Sequence, residues 1–194
     1  MKKNLIFLAV LMFTFSACKQ NGAESKLPEE TVELSEYAGE PVDLGLSVLW
    51  ADDNLSKDGF FWADINVAGN RTDWEDPYDE SIMSHSGSKY DAARMNWGGE
   101  WRTPTDAEWK ELITKCTREW DGKGMKVTGP SGKSIYLNAE LGYWNHCYYW
   151  TSSRIKKGEW EGSPAAVFVS EFGFSGPEPC SERSECKIRP VRNK

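Results

Sequence analysis

Histidine is almost missing from this chain: its 194 residues include two, His85 and His146, and neither has a spaced partner. That scarcity excludes a histidine-rich catalytic metal site, which gathers several imidazoles around one ion. Positive charge is also short, with 23 Lys and Arg against 30 Asp and Glu, so a polyanionic nucleic acid is not the expected partner. After the first residues no apolar run nears the roughly 20 residues of a membrane helix. Neither an internal repeat nor a heptad pattern is present, which points to a globular domain.

What is there begins with an export signal. Lys2 and Lys3 precede an apolar run over 5–15 that is too short to span a bilayer stably, and Ser16 and Ala17 supply the small residues of a cleavage site. Phe15-Ser16-Ala17-Cys18 reads as a bacterial lipobox, in which the Cys18 thiol takes a diacylglycerol and becomes the mature first residue. The expectation is a cell-envelope lipoprotein held to the outer membrane by its lipid, with the periplasmic or surface face left open. Removal of residues 1–17 takes two of the 23 cations, leaving 21 against 30 acidic residues over 177 positions, a net charge of −9. Residues 18–40 carry Glu24, Glu29, Glu30, Glu33, Glu36 and Glu40 against Lys19 and Lys26. With almost no large apolar group they read as a flexible acidic tether.

One domain is expected over 41–194. Val42, Leu44, Leu46, Val48 and Trp50 alternate with other residues at the period of a half-buried strand, and Phe60-Phe61-Trp62 suggests a second. Residues 64–88 read as a polar surface loop. Within it Asp73, Glu75, Asp76, Asp79 and Glu80 are dense enough for a hard cation but lack an ordered ligand spacing, so they read as a solvated acidic loop, and no metal or cofactor is assigned. A first helix is expected over 89–97, stopped by Gly98-Gly99. Thr105 and Glu108 form a capping box for a second, whose Trp109, Leu112, Ile113 and Cys116 share one face while Glu111 and Lys115 pair on the other. Segments 125–128 and 133–137 flank Gly129-Pro130-Ser131-Gly132 as a hairpin, and 148–151, 165–170 and 186–191 read as further strands. The fold class is α+β, with two helices packed on a mostly antiparallel, twisted sheet.

Four motifs occur in order: Val42-Asp43-Leu44-Gly45-Leu46-Ser47-Val48 leading to Trp50-Ala51, Trp101-Arg102-Thr103-Pro104-Thr105 leading to Glu108-Trp109, Tyr149-Trp150-Thr151-Ser152-Ser153, and Ile188-Arg189-Pro190-Val191. Together they resemble the Fibrobacter-type major paralogous domain family of lipoproteins, a branch of the C-type lectin-like fold. The resemblance implies an extracytoplasmic domain of ligand-binding or unknown function, with Trp50, Trp101, Arg102, Pro104, Thr105, Glu108, Trp109, Trp150, Ser152, Ser153, Arg189, Pro190 and Val191 as structural motif residues. A distant similarity extends to the formylglycine-generating enzymes, which share an arginine-aliphatic-proline-threonine helix entry. Those enzymes bind copper through paired cysteines in a serine- and histidine-rich C-terminal segment, and no histidine follows Trp150 here. Catalysis is therefore not expected. Trp144-Asn145-His146 echoes a calcium motif of true lectins, but histidine replaces the hard carboxylate.

The expectation for function is recognition of a glycan or protein ligand without catalysis; the alternative is a structural or assembly component of the envelope with no small ligand. In lectin-like folds the C-terminal loops carry the ligand contacts, which the resemblance places on 154–162 and 172–185. Arg154, Lys156, Trp160, Phe172 and Phe174 are the candidates there. A solvated hairpin tip with inward-packed phenylalanines is the alternative for the same residues, and Trp74 and Trp144 are the other loop tryptophans. Besides Cys18 the chain has Cys116, Cys147, Cys180 and Cys186. Four cysteines allow three pairings, of which Cys180 with Cys186 is the disulfide favoured by their short separation, while Cys116 suits a buried thiol.

Overall fold

Caps set both helices. The computed structural model describes residues 38–66, 83–141 and 144–194, all within the unit Glu33–Lys194. The export signal, Cys18, nearly all of the tether, the acidic 73–80 loop with Trp74, and the side chain of Trp144 lie outside the described residues. Helix α2 (Asp106–Lys115) opens on a reciprocal capping box: the Thr105 hydroxyl accepts from the Glu108 N–H, and the Glu108 carboxylate accepts from the Thr105 N–H. Trp109 and Leu112 turn inward, and Lys115 pairs with Glu111 at 2.8 Å on the open side. Helix α1 (Ala92–Trp97) starts later than the sequence predicts. The cause is Asp91, whose carboxylate accepts from Ala93 N at 3.0 Å and so fixes the cap there, while Gly98 ends the helix at a φ of 65°.

The strands form three antiparallel sheets where the sequence suggests one. The first joins the domain's two ends, β1 (Pro41–Val42), β2 (Leu49–Ala51) and β10 (Val191–Arg192), in the order β1-β2-β10. The second is β3 (Thr117–Trp120), β4 (Gly124–Thr128) and β5 (Ser134–Asn138), with the expected hairpin between β4 and β5. The third is β6 (Glu140–Leu141), β7 (Trp144–Arg154), β8 (Pro164–Ser170) and β9 (Gly173–Pro179), in sequence order. Helix and strand together make an α+β domain.

Several expected strands are corrected. The alternating run 42–50 is strand only at its two ends, because the Asp43 carboxylate accepts from Gly45 N at 2.9 Å and Gly45 adopts a φ of 81°. Its alternation survives as burial: Leu44, Leu46 and Val48 face the core while Gly45 and Ser47 face out. Residues 60–62 contribute one bridge, Phe60 to Cys186, and of 186–191 only Val191 belongs to a strand, while Lys187 makes a single parallel bridge to Tyr149. Strands β3 and β9 are unannounced in the sequence. β3 reads Thr-Arg-Glu-Trp and β9 carries two glycines and two prolines, compositions that suit edge strands, where one side of the backbone needs no partner.

Strands β7 and β8 divide the interior. Successive strand side chains point to opposite faces, so Tyr149, Val167 and Val169 join Trp50, Trp109, Leu112 and the β4–β5 apolar residues in one core, while Trp150 and Ala166 join Phe60, Trp62, Ala92, Ala93 and Ile188 in another. Helix α2 thus packs into the first core and α1 into the second.

Candidate functional site

The motif residues meet in the framework. Ser152 donates from its N–H and its hydroxyl to Pro104 O at 2.8 and 3.2 Å, and the Ser153 hydroxyl accepts from Asp106 N at 3.2 Å. Arg102 and Val191 exchange backbone hydrogen bonds, each 2.9 Å. Trp109 packs edge-on against Trp50 with centroids 4.9 Å apart, and its indole N–H donates to Trp150 O; that of Trp150 donates to Phe60 O at 2.7 Å. Arg102 grips the Glu108 carboxylate through two hydrogen bonds of 2.5 and 2.9 Å. Arg189 is buried and donates to Ala51 O and Tyr136 O, its neighbour Pro190 accepts from Ala51 N, and burial pulls the Arg189 pKa below its ordinary value. These groups are spent on holding segments together.

Asp91 and His85 belong to the same framework, and the sequence reading missed both. The Asp91 carboxylate is fully buried and accepts from Gly87 N, Ala93 N, and the Thr103 N–H and hydroxyl. His85 stands edge-on to Trp62 at 4.7 Å with both ring nitrogens unpartnered, and burial lowers its pKa against the pull of Asp91.

The five ligand candidates fare differently. Arg154 is 6% exposed and is a correction: its guanidinium donates to Gly162 O, pairs with Glu182 at 3.0 Å and lies over the Trp62 ring at 4.7 Å. It closes the base of the 155–163 loop and offers little to a ligand. Phe174 is half-buried against the first core, with Arg118 covering its ring at 5.8 Å. Lys156 is exposed. Trp160 is 59% exposed and Phe172 91% exposed.

Trp160 and Phe172 belong to separate sites, which corrects the single expected surface. Trp160 lines a groove of about 400 Å³ with Ser163, Glu178, Pro179, Cys180 and Ser181, at the end of β9. Phe172 precedes the start of β9 and lines a smaller hollow of about 210 Å³ with Arg118, Trp120, Met125, Glu171 and Gly173. The seven residues of β9 separate them, about 23 Å at 3.3 Å per residue. Much of the expected 172–185 loop is β9 itself.

Cys180 and Cys186 do not stand at disulfide distance. Both are free thiols, with sulfurs 3.9 Å apart, well beyond the about 2.05 Å of a disulfide. Each backbone is anchored on a different neighbour: Cys180 N donates to Pro164 O at 2.9 Å, and Cys186 exchanges hydrogen bonds with Phe60. The Cys186 thiol, the Ser184 hydroxyl and the Ser181 N–H lower the Cys180 pKa to about 6 against its partial burial, while burial raises that of Cys186. Burial also pushes Cys147 up to about 12 and Cys116 above its ordinary value.

Among the described residues, no group of three His, Cys, Asp or Glu side chains could hold a metal ion. One polar pocket, of about 580 Å³ around Asn54, Asn138 and Lys187, lies outside every segment that the sequence singled out as a ligand surface. Comparison with family models, curated proteins and solved structures finds no match for the chain.

Proposed function

We propose that this chain is an outer-membrane lipoprotein of the bacterial cell envelope whose C-type lectin-like domain recognises a glycan or protein ligand in the Trp160 groove. The supporting observation is Trp160 itself, the one tryptophan among the described residues left exposed while Trp50, Trp62, Trp101, Trp109 and Trp150 are buried. An open indole face costs hydration free energy unless a partner covers it. The Glu178 carboxylate and the Ser163 and Ser181 hydroxyls share its groove, so an apolar platform stands beside groups that can take up hydroxyl hydrogen bonds. That combination suits a sugar ring, which has an apolar face and a polar rim. The convergence of the four motifs on one framework supports the family reading.

A bacterial-glycan array probed with the full chain and with Trp160→Ala tests the proposal. Binding by the parent chain that falls about 10-fold or more in the variant is expected, in line with the roughly 1–3 kcal/mol carried by an aromatic hot spot. Equal binding by both chains would refute the assignment of the groove.

A further inference from the structure

The chain turns back on itself between the end of β9 and Cys186. Cys180 N donates to Pro164 O at 2.9 Å, Ser184 N donates to Ser181 O at 2.9 Å to close a turn, and Cys186 exchanges backbone hydrogen bonds with Phe60 at 2.8 and 3.1 Å. These fixed points set two thiols side by side, with their sulfurs 3.9 Å apart. The two differ in access. Cys180 is half-buried and lines the Trp160 groove, whereas Cys186 is 1% exposed and belongs to the second core with Phe60, Trp62 and Trp150.

They differ in chemistry too. The Cys186 thiol, the Ser184 hydroxyl and the Ser181 N–H favour the thiolate of Cys180, and burial and the Glu178 charge oppose them without prevailing. The thiolate is the nucleophile of sulfur chemistry, and one held below the usual thiol range is present at neutral pH. Of the other described thiols, Cys116 and Cys147 are raised by burial and do not compete. Cys186 is raised by burial first, then by the hydrogen bond and the charge of Cys180. Once Cys180 is bonded to another sulfur it carries no charge, and the Cys186 proton is then easier to lose. An accessible thiolate beside a buried second thiol is the arrangement by which a mixed disulfide is formed and then released.

We infer that Cys180 and Cys186 form a thiol–disulfide exchange site whose reactant is a disulfide entering from the groove. The Cys180 sulfur attacks one sulfur of that disulfide. A mixed disulfide to Cys180 forms, the reactant's own S–S bond breaks, and its first half leaves as a thiolate that takes a proton from water. The Cys186 sulfur then gives up its proton and attacks the Cys180 sulfur. The bond between the two cysteines forms, the mixed disulfide breaks, and the second half of the reactant leaves and takes up that proton. Both cysteines are oxidised and the reactant's disulfide is reduced to two thiols, with no further oxidant. The site does not depend on whether Trp160 holds a sugar, because the exchange requires only access to Cys180.

The test reduces the detergent-solubilised full chain, removes the reductant under argon and adds oxidised glutathione, with the modified cysteines located by peptide mass spectrometry. The parent chain is expected to close Cys180 onto Cys186 and to keep no glutathione there, while Cys186→Ser is expected to hold glutathione on Cys180. Cys180→Ser is expected to slow reaction of the 180–186 segment about 10-fold or more. Excess reduced glutathione is expected to reopen the pair in the folded chain, which separates an exchange site from a fixed cross-link. The parent-chain results need no variant to fold. Unreacted thiols at 180 and 186, a lasting glutathione adduct on the parent chain, attack on Cys186 at the parent rate in Cys180→Ser, or a bond that reopens only on unfolding would each overturn the inference.

Discussion

Replacing Glu108 by alanine removes two structural devices at once. The carboxylate accepts from Thr105 N at 2.7 Å as half of the capping box, and it holds Arg102 through two hydrogen bonds, with side-chain exposures of 17% for Arg102 and 12% for Glu108. Loss of a cap costs about 1 kcal/mol. Breaking an exposed ion pair costs up to about 1 kcal/mol and breaking a buried one about 3–5 kcal/mol. This pair is largely covered but retains some solvent, so about 2 kcal/mol is reasonable, for a total near 3 kcal/mol of a domain stability of about 5–15 kcal/mol. The pH dependence follows from the direction of the Glu108 shift. Burial raises its pKa, but Arg102 and the Thr105 N–H outweigh burial and leave it below the ordinary 4.5. A depressed carboxylate stabilises the fold above its unfolded pKa and loses that contribution as pH falls through the folded value. Urea unfolding of the parent and Glu108→Ala chains is therefore expected to differ by about 3 kcal/mol at pH 7, with the gap narrowing below pH 4.5. A gap under about 1 kcal/mol, or one independent of pH, would refute the reasoning.

Trp109→Ala empties the centre of the first core, where the indole meets Trp50 and Tyr149. It is expected to cost about 3–5 kcal/mol by denaturant titration, and a cost near zero would show that Trp109 does not support the framework. Cys180 is expected to alkylate with half-maximal rate near pH 6 while Cys147 stays unreactive, as read by mass spectrometry across pH. A Cys180 midpoint between about 8 and 9, the range of a free thiol, would contradict the hydrogen bonds drawn to its sulfur. Cys18→Ser is expected to move the protein from the membrane to the soluble fraction; sedimentation with the outer membrane after a salt wash would remove the lipid-anchor expectation.

Local chemistry made parts of this domain legible in the sequence. The Thr105–Glu108 box and the Gly129-Pro130-Ser131-Gly132 turn act over three or four residues, and both stand where the sequence places them. Features set by distant partners did not show. Arg154 reads as a loop cation until Glu182, 28 residues on, is brought beside it. The 43–48 segment alternates like a strand, yet Leu44 O accepts from Ser131 N across the hairpin turn, and the Asp43–Gly45 turn removes it from any ladder. Strand β9 was hidden by its glycines and prolines, which an edge position tolerates. The Lys187 pocket had no local signal, because its walls come from residues 53–57, 138 and 187. A buried lysine surrounded by Cys186 and Ile188 looks in sequence like one outward position of a strand.

Recognition in the proposed groove rests on Trp160, and its indole N–H can be followed directly by NMR while the full chain is titrated with oligosaccharides of the bacterial envelope. A saturable shift of the Trp160 indole is predicted, with the buried Trp50, Trp109 and Trp150 indoles unmoved. Saturable binding that leaves Trp160 in place and shifts the amides around Phe172 instead, at the other end of β9, would contradict it.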